Sequence, residues 1–341
     1  MVMVCAMALT GCAGKKGTSE NTASDEEPYS RDIFAMDTYM TVSAYGDAGE
    51  KAVDAAVKEI NRLDALLSTG KASSEVSELN ASNGGKLSAD TNALMDAALD
   101  LYESTDHVFD ITIYPVMKLW GFTDQNYKVP SEGDLKAALT LVDASTLDYN
   151  KAKKTVAFTV DGTQIDFGGI AKGYTSATVA QLYKDYGVTS GLVNLGGNVQ
   201  TVGFKPDGSE WRIGIQDPED ENDMLGVVQT HDAAVITSGG YERNFEEDGV
   251  VYHHIIDPAT GHPADNGLIS VTIVSEDGTL ADGLSTSLFI MGKAGAIEYW
   301  KAHSKDFDFV LCEDDGTLVV SKGLKDKFTP KDETAKVEYV S

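Results

Sequence analysis

A glycine-rich turn with a charged residue near each end is the first candidate for chemistry in this sequence. Residues 166–173 read D-F-G-G-I-A-K-G, follow a β-rich stretch at 155–165 and open a helical pattern at about 170–186. A glycine pair lets the backbone approach a ligand, and the N–H groups at a helix start favour an anion. With Lys172 as a cation and Asp166 as a carboxylate, the turn indicates either a bound phosphate group or a tight strand-to-helix turn. Its spacing is neither that of a P-loop nor that of a Rossmann turn.

Two adjacent histidines near the end of a later strand are the second candidate. Residues 253–261 read H-H-I-I-D-P-A-T-G, in which Pro258 and Gly261 fix a turn. Neighbouring side chains of a regular strand face opposite ways, so at most one of His253 and His254 points into a given site. Histidine is the usual general acid or base near neutral pH. The alternative is a surface histidine pair before an Asp-Pro turn.

A carboxylate and a hydroxyl at helical spacing are the third candidate. Asp282 and Thr286 lie four residues apart in A-D-G-L-S-T, residues 281–286, so they share one face of a helix. Both are hard oxygen ligands of the kind that Mg²⁺ prefers. The alternative makes Asp282 an N-cap and Thr286 an ordinary helical residue. The sequence has no Cys/His set with zinc spacing.

A small-residue turn after another strand is the fourth candidate. Residues 237–243 read T-S-G-G-Y-E-R. The turn suits a backbone that approaches a ligand, and it equally suits a plain loop. Because no G-x-S-x-G elbow is present, Ser238 is not a convincing nucleophile.

Composition limits the classes of partner. The chain has 341 residues, 42% of them hydrophobic and 24% charged, which is typical of a globular protein. Its formal net charge is −27 and its sequence pI about 4.4. A phosphate backbone would be repelled by such a surface, so nucleic acid is excluded as a partner.

The N-terminus predicts a lipid anchor. Residues 1–10 are almost wholly apolar and are followed by Cys12 in L-T-G-C, which resembles the lipobox of a bacterial lipoprotein. We therefore expect a signal segment at 1–11, a lipidated Cys12 with a flexible polar tether at 12–29, and one domain at 30–341. Two acyl chains would anchor the protein on the extracytoplasmic face of the cell membrane. The alternative is a buried apolar strand. Since Cys5 would leave with the signal, Cys312 would have no disulfide partner within the chain.

The hydrophobic pattern predicts the elements that must position these motifs. Strands are predicted at 33–45, 191–195, 199–204, 211–216, 226–229, 234–237, 252–256, 268–274, 307–312 and 317–320. Helices are predicted at 48–67, 76–80, 88–102, 135–142, 170–186, 281–291 and 294–303. Strands and helices mix without strict βαβ alternation, which favours an α+β fold, and no linker divides the body.

In combination and in this order, the motifs resemble one family, the FAD:protein FMN transferases or ApbE-type flavin transferases. The resemblance covers about residues 36–291. The matching segments are M-D-T at 36–38, where the family usually has M-G-T, the aromatic segment 109–122, D-F-G-G-I-A-K-G at 166–173, N-L-G-G at 194–197, T-S-G at 237–239, H-I-I-D-P at 254–258, and A-D with Thr286. At position 259 an alanine replaces the commoner arginine.

The resemblance implies a fold, a reaction and its partners. It implies a single ApbE-like domain in which mixed and antiparallel β-sheets pack with helices. The enzyme would use Mg²⁺ and take FAD as substrate. It would transfer the FMN moiety to a Ser or Thr hydroxyl of a membrane or extracytoplasmic redox protein, and release AMP. The alternatives are an FAD pyrophosphatase that gives FMN and AMP, and a flavin-binding lipoprotein without turnover.

The resemblance also implies roles for individual residues, with His254 as our choice of base and Lys172 as a stabiliser of phosphate charge. The expected catalytic residues are His254, Lys172 and Asp257. The expected FAD-binding residues are Met36, Phe109, Asp110, Asp166, Gly168, Gly169, Lys172, Thr237, Ser238, Gly239, His254, Ile255 and Ile256. The expected metal ligands are Asp282, Ser285, Thr286 and Gly169, the last through its backbone carbonyl. The rings of Phe109, Tyr114 and Trp120 suit either the flavin or adenine, or the core.

Overall fold

The computed structural model describes residues 27–341. The predicted signal segment, Cys12 and most of the tether lie outside the described residues. The strands are, in chain order, β1 Tyr29–Ala35, β2 Thr38–Ala44, β3 Gly84–Lys86, β4 Leu147–Asn150, β5 Thr155–Phe158, β6 Ser190–Leu195, β7 Asn198–Gly203, β8 Trp211–Gln216, β9 Met224–Thr230, β10 Ala234–Gly239, β11 Asn244–Glu247, β12 Val250–His253, β13 Leu268–Ser275, β14 Asp308–Glu313, β15 Leu318–Ser321, β16 Phe328–Pro330 and β17 Val337–Val340.

The helices carry two of the candidate motifs. They are α1 Gly49–Leu67, α2 Glu75–Ala81, α3 Ala89–Ser104, α4 Tyr114–Trp120, α5 Glu132–Leu139, α6 Ala171–Asp185 and α7 Gly278–His303, with 3-10 turns at Ile111–Ile113, Ala144–Thr146 and Lys322–Leu324. Helix α7 is kinked at Gly292, whose φ of 71° is left-handed. The kink separates the two helices that the sequence predicts at 281–291 and 294–303.

One long sheet organises the molecule. Its strand order is β1-β2-β6-β7-β10-β13-β14-β15-β17, and its pairs are antiparallel except for the parallel pair β15–β17. Smaller sheets, β16-β9-β8, β3-β5-β4 and β11-β12, complete the fold. Helices and strands are thus combined without βαβ repetition, and the predicted α+β class is confirmed.

The long sheet supports α6 and α7 side by side. Ala281, Leu284 and Leu288 of α7 share a buried cluster with Ile236 of β10 and Ile273 of β13. The two helices cross so closely at Gly173 that an added β-carbon would lie 2.1 Å from the Gly278 carbonyl oxygen. Only glycine fits there, which explains the last residue of the 166–173 motif.

Three predicted strands differ from the structure. The strand predicted at 33–45 is a hairpin, β1–β2, because Met36 and Asp37 adopt left-handed backbone with φ of 47° and 58°. An aspartate tolerates that conformation better than most residues, although glycine is the commoner choice. The strand predicted at 252–256 ends at His253. Of the β-rich run 155–165, only β5 forms a strand.

Two further observations bear on the sequence predictions. Cys312 is a free, buried thiol, and burial together with nearby acidic residues raises its pKa to about 12. Among residues 27–341, none of the helices is both long and apolar enough to span a bilayer. The predicted lipid anchor involves residues before this range and stays a prediction.

Candidate active site

The starts of α6 and α7 meet around one buried carboxylate. The Gly173 N–H donates to Asp282 Oδ2 over 2.7 Å, and Asp282 is only 5% exposed. Burial raises the pKa of Asp282, while the charge of Lys172 and the Gly173 hydrogen bond lower it. Asp277, whose side chain accepts from the Thr279 and Leu280 N–H groups, is the N-cap of α7. Asp282 therefore lies in the second turn of the helix, and the alternative that it caps the helix is wrong.

Three hydroxyl groups form a cluster further along α7. Ser285 Oγ donates to the Asp282 backbone carbonyl over 2.7 Å and lies 2.7 Å from Ser238 Oγ. Thr286 Oγ1 lies 3.4 Å from Ser238 Oγ and 3.9 Å from the position that a β-carbon on Gly169 would take. Three of the predicted metal ligands, Ser285, Thr286 and Gly169, thus lie around Ser238 of β10, and Asp282 lies one helical turn before Thr286.

The chemistry of this oxygen cluster suits a hard cation. The described residues contain no group of three or more His, Cys, Asp or Glu side chains that could hold a metal ion. With a single carboxylate, hydroxyls and a backbone carbonyl, the cluster leaves much of an octahedron to other oxygens. Mg²⁺ is typically bound in this way, by one or two carboxylates together with substrate phosphates and water.

The 166–169 turn closes another side of the site. The Asp166 N–H donates to the Ile111 carbonyl, and Asp166 Oδ1 accepts from the Gly168 N–H, both over 2.9 Å. Desolvation raises the pKa of Asp166, and the Gly168 hydrogen bond and the charge of Arg243 lower it. A β-carbon on Gly169 would lie 3.1 Å from Phe109 Cε2, so the phenyl ring lines the turn.

His254 and His253 face opposite ways, as predicted. The backbone N–H of His254 donates to the Arg243 carbonyl over 3.0 Å, and His254 Nδ1 lies 3.2 Å from the same oxygen. Because a carbonyl only accepts, Nδ1 carries the proton and Nε2 has the free lone pair. His253 Nε2 instead contacts the Ala264 carbonyl at 3.0 Å, and its ring packs edge-on against Phe289.

The electrostatic environment keeps the His254 imidazole neutral. Desolvation, followed by the charges of Arg243, Lys172 and His253, lowers the pKa of His254 to about 3. Two cations on different elements therefore act on one imidazole. A neutral ring can accept a proton through Nε2, which is the requirement for a general base.

Two predicted site residues, Asp110 and Asp257, accept hydrogen bonds from the backbone of nearby loops. The Asp110 carboxylate accepts from the backbone N–H groups of Thr112 and Ala144. Asp257 Oδ1 accepts from the Ala259 N–H over 2.8 Å and so holds the turn after His254. Both carboxylates therefore organise loops beside the site.

The remaining predicted FAD-binding residues present mainly backbone or are held by neighbours. Ile255 and Ile256 are buried, so only their backbone can meet a ligand. Thr237 Oγ1 lies 2.8 Å from Thr272 Oγ1, and a β-carbon on Gly239 would lie 2.2 Å from the Tyr241 ring. Met36 contacts α6, because its sulfur lies 3.8 Å from Thr175 Oγ1.

Of the aromatic rings, Trp120 belongs to the core. It is fully buried and its Nε1 donates to the Gly261 carbonyl over 2.8 Å. Tyr114 is 9% exposed and Phe109 6% exposed. Phe109 borders Gly169, a predicted site residue.

Glu242, Arg243 and Asn198 were not predicted as site residues, yet they also act on the site. Desolvation raises the pKa of Glu242, whereas the charges of Lys172 and Arg243 lower it. The buried side chain of Asn198 helps to lower the pKa of Asp282. All three lie within three residues after a glycine pair, T-S-G-G at 237–240 or N-L-G-G at 194–197. Polar residues soon after such turns are the sequence signal that could have identified them.

Comparison with known proteins agrees with this fold. The model of the ApbE family matches residues 36–311. The chain is 34% identical over 313 residues to the FAD:protein FMN transferase of Treponema pallidum, covering 85% of this chain and 84% of that protein. It is 31% identical to a Klebsiella pneumoniae protein of the same name, covering 91% of this chain and 96% of the relative.

Solved structures lead to the same family. The ApbE protein of Thermotoga maritima superposes with a TM-score of 0.82 at 32% identity, over 88% of this chain and 98% of the other. The flavin transferase ApbE of Vibrio cholerae gives 0.79 at 27% identity, over 89% and 99%. The fold is thus that of the flavin transferases, which are enzymes. The chain belongs to the ApbE family.

Proposed function

We propose that this enzyme transfers the FMN moiety of FAD to a Ser or Thr hydroxyl of an acceptor protein, in a Mg²⁺-dependent reaction that releases AMP. The observation that carries the proposal is the meeting of one buried carboxylate, three hydroxyls, Lys172 and the neutral His254 within one site. Names of relatives support the flavin chemistry. The carboxylate and hydroxyl oxygens support a bound Mg²⁺, and the neutral His254 supports a hydroxyl group as the acceptor.

The oxygen cluster supplies a binding place for the diphosphate of FAD. Asp282, Ser285, Thr286 and the Gly169 carbonyl would hold Mg²⁺, which neutralises phosphate charge and orients the group for in-line displacement. Lys172 adds a second positive charge on the α6 side. Because α6 and α7 are packed through Gly173, these groups are positioned before substrate arrives, as electrostatic stabilisation requires.

His254 supplies the base. The hydrogen bond to the Arg243 carbonyl fixes the ring so that Nε2 is the proton acceptor. The acceptor hydroxyl gives its proton to Nε2 while its oxygen forms the new bond to the FMN phosphorus. The bond from that phosphorus to the oxygen of the AMP phosphate breaks, and Lys172 stabilises the charge that AMP carries away.

The proposed location of the enzyme indicates which class of protein accepts the FMN. The predicted lipid at Cys12 would place the site on the extracytoplasmic face of a bacterial membrane, beside membrane-bound or extracytoplasmic redox proteins. Cys12→Ala should release the protein from the membrane fraction or leave its signal uncleaved. A variant that is processed normally and still fractionates with lipid contradicts the anchor.

The activity is tested with FAD, Mg²⁺ and a membrane extract from the source organism. The expected result is a protein band that is fluorescent after denaturation, together with free AMP. Release of FMN and AMP without a labelled band would instead identify an FAD pyrophosphatase. Tight FAD binding with neither product would identify a flavin-binding protein.

A further inference from the structure

Arg243 occupies the position directly opposite the proposed base. In the β11–β12 pair, Asn244 is aligned with His253, so Arg243 precedes β11 where His254 follows β12. The Arg243 carbonyl confirms this alignment by accepting from the His254 backbone N–H over 3.0 Å. Residues aligned in this way project from the same face of a hairpin, with β-carbons roughly 4.5–5.5 Å apart.

The guanidinium of Arg243 is a cation without an ion-pair partner. Over residues 27–341, no carboxylate oxygen lies within 4.0 Å of Arg243 or of Lys172. Elsewhere in the chain, Arg31 pairs with Asp54 and Arg62 with Glu59. Both cations act on the same site, since the charges of Arg243 and Lys172 each lower the pKa of Glu242 and of His254. They suit a ligand with two negative charges.

We propose that Arg243 is a substrate-binding residue that contacts an anionic phosphate oxygen of FAD. The inference rests on the proposed function, since it assigns a further contact to the same substrate. Arg243, at the start of the β11–β12 hairpin, and Lys172, at the start of α6, would both bind the diphosphate.

Both cations act on the ring of His254. Desolvation is the largest cause of the lowered pKa of His254, and the charges of Arg243 and Lys172 come next. A phosphate held by these two cations would therefore lie beside the imidazole, where the acceptor hydroxyl must lose its proton.

The experiment compares Arg243→Gln and Arg243→Lys with Arg212→Gln, which removes the same charge from an exposed position on β8. The affinities for FAD and for riboflavin, which lacks phosphate, are measured by fluorescence titration. We expect Arg243→Gln to weaken FAD binding roughly 10- to 100-fold, with Arg243→Lys less affected. Riboflavin affinity should stay unchanged in all three variants.

The proposal is overturned if Arg243→Gln binds FAD as Arg212→Gln does, or if it loses riboflavin affinity to the same extent. A failure of the proposed function is a separate result, in which wild-type protein binds FAD but never labels an acceptor.

Discussion

The two sides of the active site are built in different ways. The side that carries the proposed metal ligands, called the metal side below, belongs to the core. Asp282 and Ser285 are buried on α7, and Asp282 is joined to α6 through Gly173. The base side is carried by the β11–β12 hairpin, whose tip residues Val250 and Val251 are exposed. A two-stranded hairpin is only marginally stable by itself.

Aromatic packing holds the hairpin in place. The Phe245 and Tyr252 rings stack with centroids 5.4 Å apart, and Tyr252 lies 5.3 Å from Trp120. On its outer side Phe245 stacks with Tyr127 at 5.3 Å. The proposed metal ligands therefore depend on the global fold, whereas the position of His254 depends on this aromatic cluster. Substitutions on the two sides should therefore separate stability from activity.

The largest expected effect is on the metal side. Asp282→Ala should lower FMN transfer by at least about 10³-fold, because the carboxylate is the one charged ligand of the proposed ion. It should also cost roughly 1–3 kcal/mol of unfolding free energy, since the buried Gly173 N–H loses its acceptor. Asp282→Asn is the matched control, keeping an acceptor oxygen without the charge. Transfer by Asp282→Asn at the wild-type rate would show that the ion is bound elsewhere.

On the base side, His254→Ala should lower transfer by roughly 10²–10⁴-fold while the melting temperature changes little. His253→Ala should show the opposite pattern, because its ring is wedged between Gly240, Phe289 and the Ala264 carbonyl. Single-turnover rates and thermal melts of both variants make the comparison. Equal losses of rate would remove the distinction between the two histidines.

A smaller effect is expected where the backbone borders the ligand. Gly169→Val should weaken FAD binding about tenfold or more, since its side chain meets Phe109 and the space before Thr286. The overall fold should persist because the Phe109 ring can shift. Titration with FAD measures the effect. Wild-type affinity in this variant would make the turn a purely structural one.

Thr286→Val should impair Mg²⁺-dependent transfer, as Asp282→Asn should, but to a smaller extent. It removes one hydroxyl ligand with almost no change in volume, and we expect about a tenfold higher Mg²⁺ requirement with a smaller change in maximal rate. Metal titrations of transfer test this expectation. Serine at position 286 should restore the wild-type requirement, and no difference between valine and threonine would exclude the hydroxyl as a ligand.

The smallest expected effect concerns pH. A general base works when deprotonated, so its rate falls as pH drops through its pKa. Because the pKa of His254 in the free enzyme is about 3, kcat/KM should vary less than about twofold from pH 8 to 5 through this residue. Folding stability should decline as pH falls below about 6.5, since the unfolded chain binds the proton more readily. An acid limb near pH 6.5 in kcat/KM that vanishes in His254→Ala would contradict this account.

The two sides also differed in how far the sequence predicted them. The α+β class, most helix positions and the shared helical face of Asp282 and Thr286 follow from local periodicity and motif spacing. Ser285 entered only through the family resemblance, and helix α4 was not predicted. The different surroundings of His253 and His254 agree with strand alternation, although the strand itself ends at His253. These features depend on residues close together in the sequence.

Features that depend on distant contacts were not predictable in this way. Nothing in the sequence pairs Gly173 with Asp282, 109 residues later, or aligns Arg243 with His254. The Met36–Asp37 turn was missed because apolar residues continue through it. Asp110 and Asp257 resemble site carboxylates in sequence, and only the structure reveals their hydrogen bonds to loop backbone.

The most direct test of the central claim is a mass balance on one reaction. Wild-type protein, Asp282→Asn and His254→Ala are incubated with FAD and with the purified acceptor protein that does not yet carry flavin. Each incubation contains either Mg²⁺ or a chelator. Acceptor mass and free AMP are then measured. We expect one AMP to be released for each FMN attached to a Ser or Thr hydroxyl, only with Mg²⁺ and only with the wild-type protein at full rate. Attachment of FMN by Asp282→Asn in the presence of chelator would contradict the central claim.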